Sequence, residues 1–73
     1  MSMFISVRRL VERLAPEPVC DVCVADRLSL QLTDDLRATL GELAVERGFD
    51  RERDRCSLCG EERPVIRRRG RAA

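Results

Sequence analysis

Residues 56–70, CSLCGEERPVIRRRG, combine a cysteine pair with a basic run. Two residues separate the cysteines, and glycine follows at once, which lets the chain leave a tight curl with positive φ. The apolar pair Val65 and Ile66 then leads into consecutive arginines. A cysteine pair of this kind is half of a site, and the other half lies upstream as Cys20 and Cys23.

The four cysteines form two Cys-x-x-Cys pairs, Cys20 with Cys23 and Cys56 with Cys59. Two thiolates at this spacing can reach one ion, and two such pairs match a closed tetrahedral zinc site. The segment between the pairs is longer than in most zinc ribbons and has room for a whole helix. Disulfides, a redox pair and an iron–sulfur cluster are the alternatives, but the βαβ context and the clustered ferredoxin spacing are missing. We therefore predict one structural zinc ion.

The chain has 73 residues and only two aromatic side chains, Phe4 and Phe49, which predicts one small domain with a thin core. Domains of this size usually need disulfides, a metal or a partner subunit. The apolar run at the N-terminus meets Arg8 and Arg9 too early for a signal peptide, and no segment is long enough to span a membrane. We expect a cytoplasmic protein, in which paired cysteines favour metal over disulfides.

Charge is unevenly distributed, although the formal net charge is only +1. Residues 17–62 carry twelve acids against six arginines, whereas residues 63–73 carry five arginines and no acid. All basic residues are arginines, whose planar fork suits phosphate and guanine. Exclusive use of arginine is also expected from a GC-rich genome. We expect residues 69–73 to form a basic, disordered tail.

Hydrophobic periodicity predicts three helices before residue 49. The first covers residues 2–15 and ends at Pro16, because proline cannot continue a helix. Asp21 is expected to cap a short second helix. Thr33 is expected to cap a third helix, with Gly48 at its C-cap.

From Phe49 the sequence period changes from helical to two. In FDRERDR, residues 49–55, acids and arginines alternate strictly, which predicts a strand. Residues 61–68, EERPVIRR, predict the return strand of a hairpin, with Pro64 confining it to a sheet edge or delaying its start. The predicted fold is small α+β: three helices followed by a β-hairpin and stapled by the four-cysteine zinc site.

This layout resembles a winged helix-turn-helix domain, in which the hairpin is the wing. The likeness lies in CVADRLSL at residues 23–30, in the spaced leucines Leu36, Leu40 and Leu43, and in GFDR at residues 48–51. It covers roughly residues 19–68 and is similar to small bacterial proteins with cysteine pairs at the second helix and the wing tip. The resemblance implies a single winged-helix-like domain over residues 1–68.

The resemblance also implies a function. In winged helix-turn-helix proteins the third helix enters the major groove of DNA and the wing contacts the backbone. This chain would then be a nucleic-acid-binding module, specifically a DNA-binding transcriptional regulator. Its candidate contacts are Arg37, Arg51, Arg53, Arg55, Arg67, Arg68, Arg69 and Arg71.

A protein–protein interaction module on the same scaffold is the alternative function. Four acids in the third helix would repel phosphate: Asp34, Asp35, Glu42 and Glu46. The arginines of residues 51–55 can equally pair with neighbouring acids. Met3, Phe4 and Ile5 provide apolar side chains for a partner, and a homodimer through helix one would suit either function.

Catalysis is not expected from this composition. The chain contains no histidine and no Gly-rich phosphate loop, and four cysteine ligands leave no open position on a metal. A chain this short also has little volume for a substrate pocket. We therefore predict neither an enzyme nor a small-molecule substrate.

Overall fold

Three helices and a three-stranded antiparallel sheet make up the computed structural model, which describes residues 2–69. The elements are α1 (Met3–Leu14), β1 (Val19–Cys20), α2 (Asp21–Arg27), α3 (Asp34–Ala44), β2 (Phe49–Arg55) and β3 (Glu62–Arg68). The small α+β class with three helices and a hairpin is as predicted. The two-residue strand β1 was not predicted, because two residues are too few to show a period.

Strand β3 lies at the centre of the sheet, in the order β1-β3-β2. It pairs with β2 along its whole length, whereas β1 covers only Val65 and Ile66. Both expectations for Pro64 are therefore wrong: the strand is central, and it begins at Glu62, before the proline. Pro64 lies just outside the β1 pairing, so β3 has a single neighbour at that position.

Helix α1 packs through one apolar face. Val7, Leu10 and Val11 are buried, and Phe4 and Leu14 are partly buried against the core. These positions follow the three- and four-residue spacing of an amphipathic helix. The helix ends just before the Ala-Pro step that the sequence indicated.

The caps of α2 and α3 confirm one prediction and correct two. The backbone N–H of Leu36 donates to Thr33 Oγ1 at 3.2 Å, so Thr33 caps α3 as predicted. Asp21 is the first residue of α2 rather than its cap, which is Cys20. Gly48 lies beyond the C-cap Val45, in the turn before β2, where its φ of 91° suits glycine.

The core lies where the helices meet the sheet. Its fully buried larger side chains are Leu36, Leu40, Leu43, Ile66, Val7, Val11, Val19, Val24, Val65, Cys20 and Cys56. The guanidinium groups of Arg8 and Arg68 lie 5.6 Å and 5.4 Å from the centroid of the Phe49 ring, within the range of cation–π attraction. Two cysteines of the predicted site are thus core residues.

Candidate metal centre

The fold brings both cysteine pairs to one place. Cys20 ends β1 and is the N-cap of α2, and Cys23 lies in the first turn of that helix. Cys56 and Cys59 lie in the turn between β2 and β3. The four Sγ atoms are all within 4.8 Å of one another, as the two pairs predicted.

Backbone hydrogen bonds shape the turn that carries the second pair. The Cys56 N–H donates to the carbonyl of Glu61, and the Gly60 N–H donates to the carbonyl of Cys56, each at 2.9 Å. Gly60 has φ of 76°, which a residue with a Cβ adopts only under strain. Ser57 donates to the Pro18 carbonyl through its N–H at 3.0 Å and through its hydroxyl at 2.6 Å. This turn is therefore fastened to the segment just before the first pair.

The sulfur spacing fits a single ion. The Sγ atoms of Cys20 and Cys59 are 3.8 Å apart, and no disulfide joins the cysteines. A tetrahedron with metal–sulfur distances of about 2.3 Å has edges of about 3.8 Å. The cluster can accept one metal ion with little rearrangement.

Burial and hydrogen bonds from N–H donors have opposite effects on the pKa values of the cysteine thiols. Burial raises the pKa of Cys20 and of Cys23. It also acts to raise the pKa of Cys56, but N–H donors of Cys59, Cys20 and Leu58 outweigh it and lower that pKa to about 6. The Cys20 and Leu58 nitrogens lie 3.4 Å from Cys56 Sγ. Such donors stabilise a thiolate, the form that binds metal.

The cluster straddles the boundary between core and solvent. Cys20 and Cys56 are buried, Cys23 is half-buried and Cys59 is exposed. The pairs are separated by 32 residues in the sequence, so an ion between them would join the start of α2 to the tip of the hairpin. Its position suits a structural role.

Most of the arginines predicted to contact nucleic acid form ion pairs with acidic side chains. Among the candidates within residues 2–69, six of seven form ion pairs and Arg55 forms none. The pairs are Arg37–Asp34, Arg51–Asp21, Arg53–Glu62, Arg67–Glu52, Arg68–Glu12 and Arg69–Asp50. Arg71 lies outside the described residues. The basic hairpin is therefore largely neutralised by its neighbours.

The pair between Arg51 and Asp21 differs from the others in depth and geometry. Two contacts join the side chains: Nη1 lies 2.7 Å from Oδ1, and Nη2 donates to Oδ2 at 2.9 Å. Only 28% of the Arg51 side chain and 16% of the Asp21 side chain are exposed. This pair ties β2 to the start of α2, beside Cys20. Sequence reasoning missed it because the partners are 30 positions apart.

The predicted apolar partner surface on α1 is smaller than expected. Met3 and Phe4 pack against the core, and Ile5 is 45% exposed.

On α3, Asp34, Asp35 and Glu42 are exposed, as expected for first-turn and outward-facing acids.

No protein-family model, curated protein or solved structure matches this chain. Among residues 2–69, no helix has both the length and the apolar character needed to cross a membrane. The four-cysteine cluster and the charges around it are the features from which function is inferred.

Proposed function

We propose that this protein is a small zinc-stabilised module that binds another macromolecule in the cytoplasm and has no catalytic role. The observation that carries the proposal is the convergence of four thiols within 4.8 Å. Four soft thiolates in a tetrahedral arrangement suit zinc or an iron centre, and we choose zinc because the clustered cysteine spacing of ferredoxins is missing. Four protein ligands complete the coordination sphere, so no position remains for a substrate or an activated water.

Zinc would stabilise the fold by fixing the hairpin tip to the β1–α2 junction, which strand pairing and the Arg51–Asp21 ion pair already hold to the rest of the hairpin. The β1–α2 junction meets the hairpin tip through the cysteines and through the contacts of Ser57 with Pro18. Because an unfolded chain has no preformed site, the free energy of zinc binding becomes free energy of folding. A domain with so small a core depends on that contribution.

Removing zinc should therefore unfold the protein. We expect native mass spectrometry to find one zinc per chain, and a strong chelator to abolish the helical circular dichroism, which returned zinc should restore. The Cys56→Ser variant should bind zinc weakly and lose its cooperative melting transition. Glu61→Gln is the neighbouring control, since it keeps all four ligands and changes only an exposed side chain of the same turn. A metal-free chain with unchanged melting temperature would contradict the structural role of zinc.

The partner we propose is a protein, bound on a winged-helix-like scaffold. The ion pairs of six candidate arginines support this choice, because each acid must be displaced or tolerated before phosphate can bind. The exposed acids of α3 also favour a protein partner over DNA, because they would repel phosphate. Phosphate contacts supply most of the affinity in DNA binding, so a neutralised hairpin is poorly suited to it.

DNA binding is the second candidate, favoured by one observation at the far end of the hairpin. Arg55 and Arg63 are exposed there and have no ion-pair partner within residues 2–69. Together with Arg71, which lies outside the described residues, they would be the charges that the hairpin and the tail leave for a phosphate backbone. A DNA-binding transcriptional regulator would use them as its wing.

Fluorescence anisotropy with random-sequence duplex DNA distinguishes the two candidates. We expect the zinc-loaded protein to bind negligibly at physiological salt and only weakly at low salt. The variant Arg55→Ser/Arg63→Ser, matched against Arg9→Ser/Arg13→Ser, tests whether any residual binding uses the hairpin. Micromolar binding that falls steeply with salt and is lost in the first variant alone would establish DNA binding and overturn the protein-partner proposal.

A further inference from the structure

Helices α1 and α2 leave a cleft between them. Both helices pack on α3 and β3, but they make little contact with each other. One depression, of about 570 Å³, is lined by Ser6, Arg9, Glu12, Arg13 and Leu28. A second, of about 390 Å³, is lined by Leu10, Arg13, Leu14 and Arg27. The two adjoin at Arg13, and we refer to these residues together as the α1–α2 cleft.

The arginines of the α1–α2 cleft differ from those of the hairpin in having no acidic partner. Arg9, Arg13 and Arg27 are exposed, and none forms an ion pair within residues 2–69. Arg13 and Arg27 each lie in the last turn of their helices, so the two helix ends place their cations beside one cleft. The partial negative charge at each helix C-terminus stabilises a nearby cation. It is not a full counter-charge, so each guanidinium group can still bind an anion.

The single acid that lines the cleft is already engaged. Glu12 Oε2 accepts from Arg8 Nε at 3.5 Å and from Arg68 Nη1 at 3.1 Å. The guanidinium groups of both donors lie over the Phe49 ring. The cleft therefore has three cations without partners and one acid that is shared by two other arginines.

Leucines form the apolar part of the cleft. Leu10 is almost fully buried, and Leu14 and Leu28 are partly buried against the core. No aromatic side chain lines either depression, so bases would find no surface on which to stack. Guanidinium groups around an apolar floor instead match carboxylates that flank an apolar side chain, because arginine binds carboxylates through paired hydrogen bonds.

We propose that the α1–α2 cleft is the docking site for an acidic peptide segment of a partner protein, with Asp or Glu side chains on either side of an apolar anchor. The inference rests on the protein-partner function proposed above and specifies its surface and chemistry. The carboxylates bind Arg9, Arg13 and Arg27, while the anchor covers Leu14 and Leu28. Recognition of acidic motifs by clustered arginines is a recurring mode of peptide binding.

The test is selection from a random peptide library displayed on phage, with the zinc-loaded protein as target. We expect the enriched peptides to combine acidic and apolar residues. A synthetic copy of the enriched peptide is then titrated against Arg9→Ser/Arg13→Ser/Arg27→Ser, which should bind it at least about tenfold more weakly. The matched control is Arg47→Ser/Arg55→Ser/Arg63→Ser, which removes the same charge from exposed arginines elsewhere and should bind normally. Zinc content and circular dichroism verify that both variants fold.

The possible failures are distinguishable. Peptides that lack acids, or that bind the cleft variant as well as the native chain, would overturn the cleft inference and leave a protein partner in place. Equal weakening in both variants would mean that net charge alone attracts the peptide, which also overturns the cleft. If nothing is enriched, the cleft inference fails, and salt-sensitive binding to duplex DNA in the anisotropy experiment would then overturn the proposed function itself.

Discussion

Two arginines of the same strand, Arg51 and Arg53, form ion pairs that should contribute differently to the free energy of folding. Arg53 and Glu62 are joined at 3.4 Å with both side chains mostly exposed to water. Arg51 and Asp21 meet at 2.7 Å and are mostly shielded. Exposed pairs contribute little because water screens them, whereas a shielded charge left without its partner is costly. Only the second pair should matter for stability.

The Arg51→Met variant should therefore lose about 1–3 kcal/mol of folding free energy, because it strands the Asp21 carboxylate in a partly buried position. Arg53→Met removes an equivalent charge from the same strand and should cost at most about 0.5 kcal/mol. Denaturant unfolding of the zinc-loaded proteins measures both values. Equal effects would show that the shielded pair is no stronger than a surface pair.

Within elements, local chemistry explains where α3 begins. Thr33 has extended backbone, and its hydroxyl oxygen accepts from the Leu36 N–H. Asp34 and Asp35 follow in the first turn, where the helix dipole favours negative charge. Asp34 and Asp35, which oppose phosphate binding, thus also stabilise the start of the helix.

Replacing Thr33 with alanine should cost about 1 kcal/mol of stability, because the N–H of Leu36 loses its acceptor. For a domain of this size that corresponds to a fall of roughly 4–8 °C in melting temperature. Thr39→Ala is the control: its hydroxyl donates to the Asp35 carbonyl within the helix and otherwise lies 3.5 Å from Met3 Sδ, a weak acceptor. Alanine also propagates a helix better than threonine. A melting temperature that falls equally in both variants would argue against the cap.

Local patterns in the sequence predicted these elements and the cysteine site well. Helix α3, its Thr33 cap and the two hairpin strands follow from spacing and capping rules that act within a few residues. Strand β1 and the Arg51–Asp21 pair depend on segments that are distant in sequence, so no local period could indicate them. The position of Gly48 was predicted wrongly for a different reason: glycine suits both a helix end and the turn before a strand, so the residue type does not distinguish them.

Across the whole molecule, the arginines divide into two groups that the sequence does not separate. Those of the hairpin are mostly paired with acids, and those at the ends of α1 and α2 are not. The difference arises from the register of β2 with β3 and from the reach of the Arg51 side chain to Asp21 at the start of α2. The tertiary fold thus neutralises most arginines of the predicted wing, apart from Arg55 and Arg63, and leaves those of the α1–α2 cleft without acidic partners in the described part of the chain.

The unequal depth of the four cysteines has a kinetic consequence. Cys59 is exposed, whereas Cys20 and Cys56 lie within the core. With zinc bound as proposed, a competing ligand from solution would meet the exposed thiolate of Cys59 first. The buried thiolates of Cys20 and Cys56 would be reached only after the core around them opens. The rate of complete zinc release would then report how often that opening occurs.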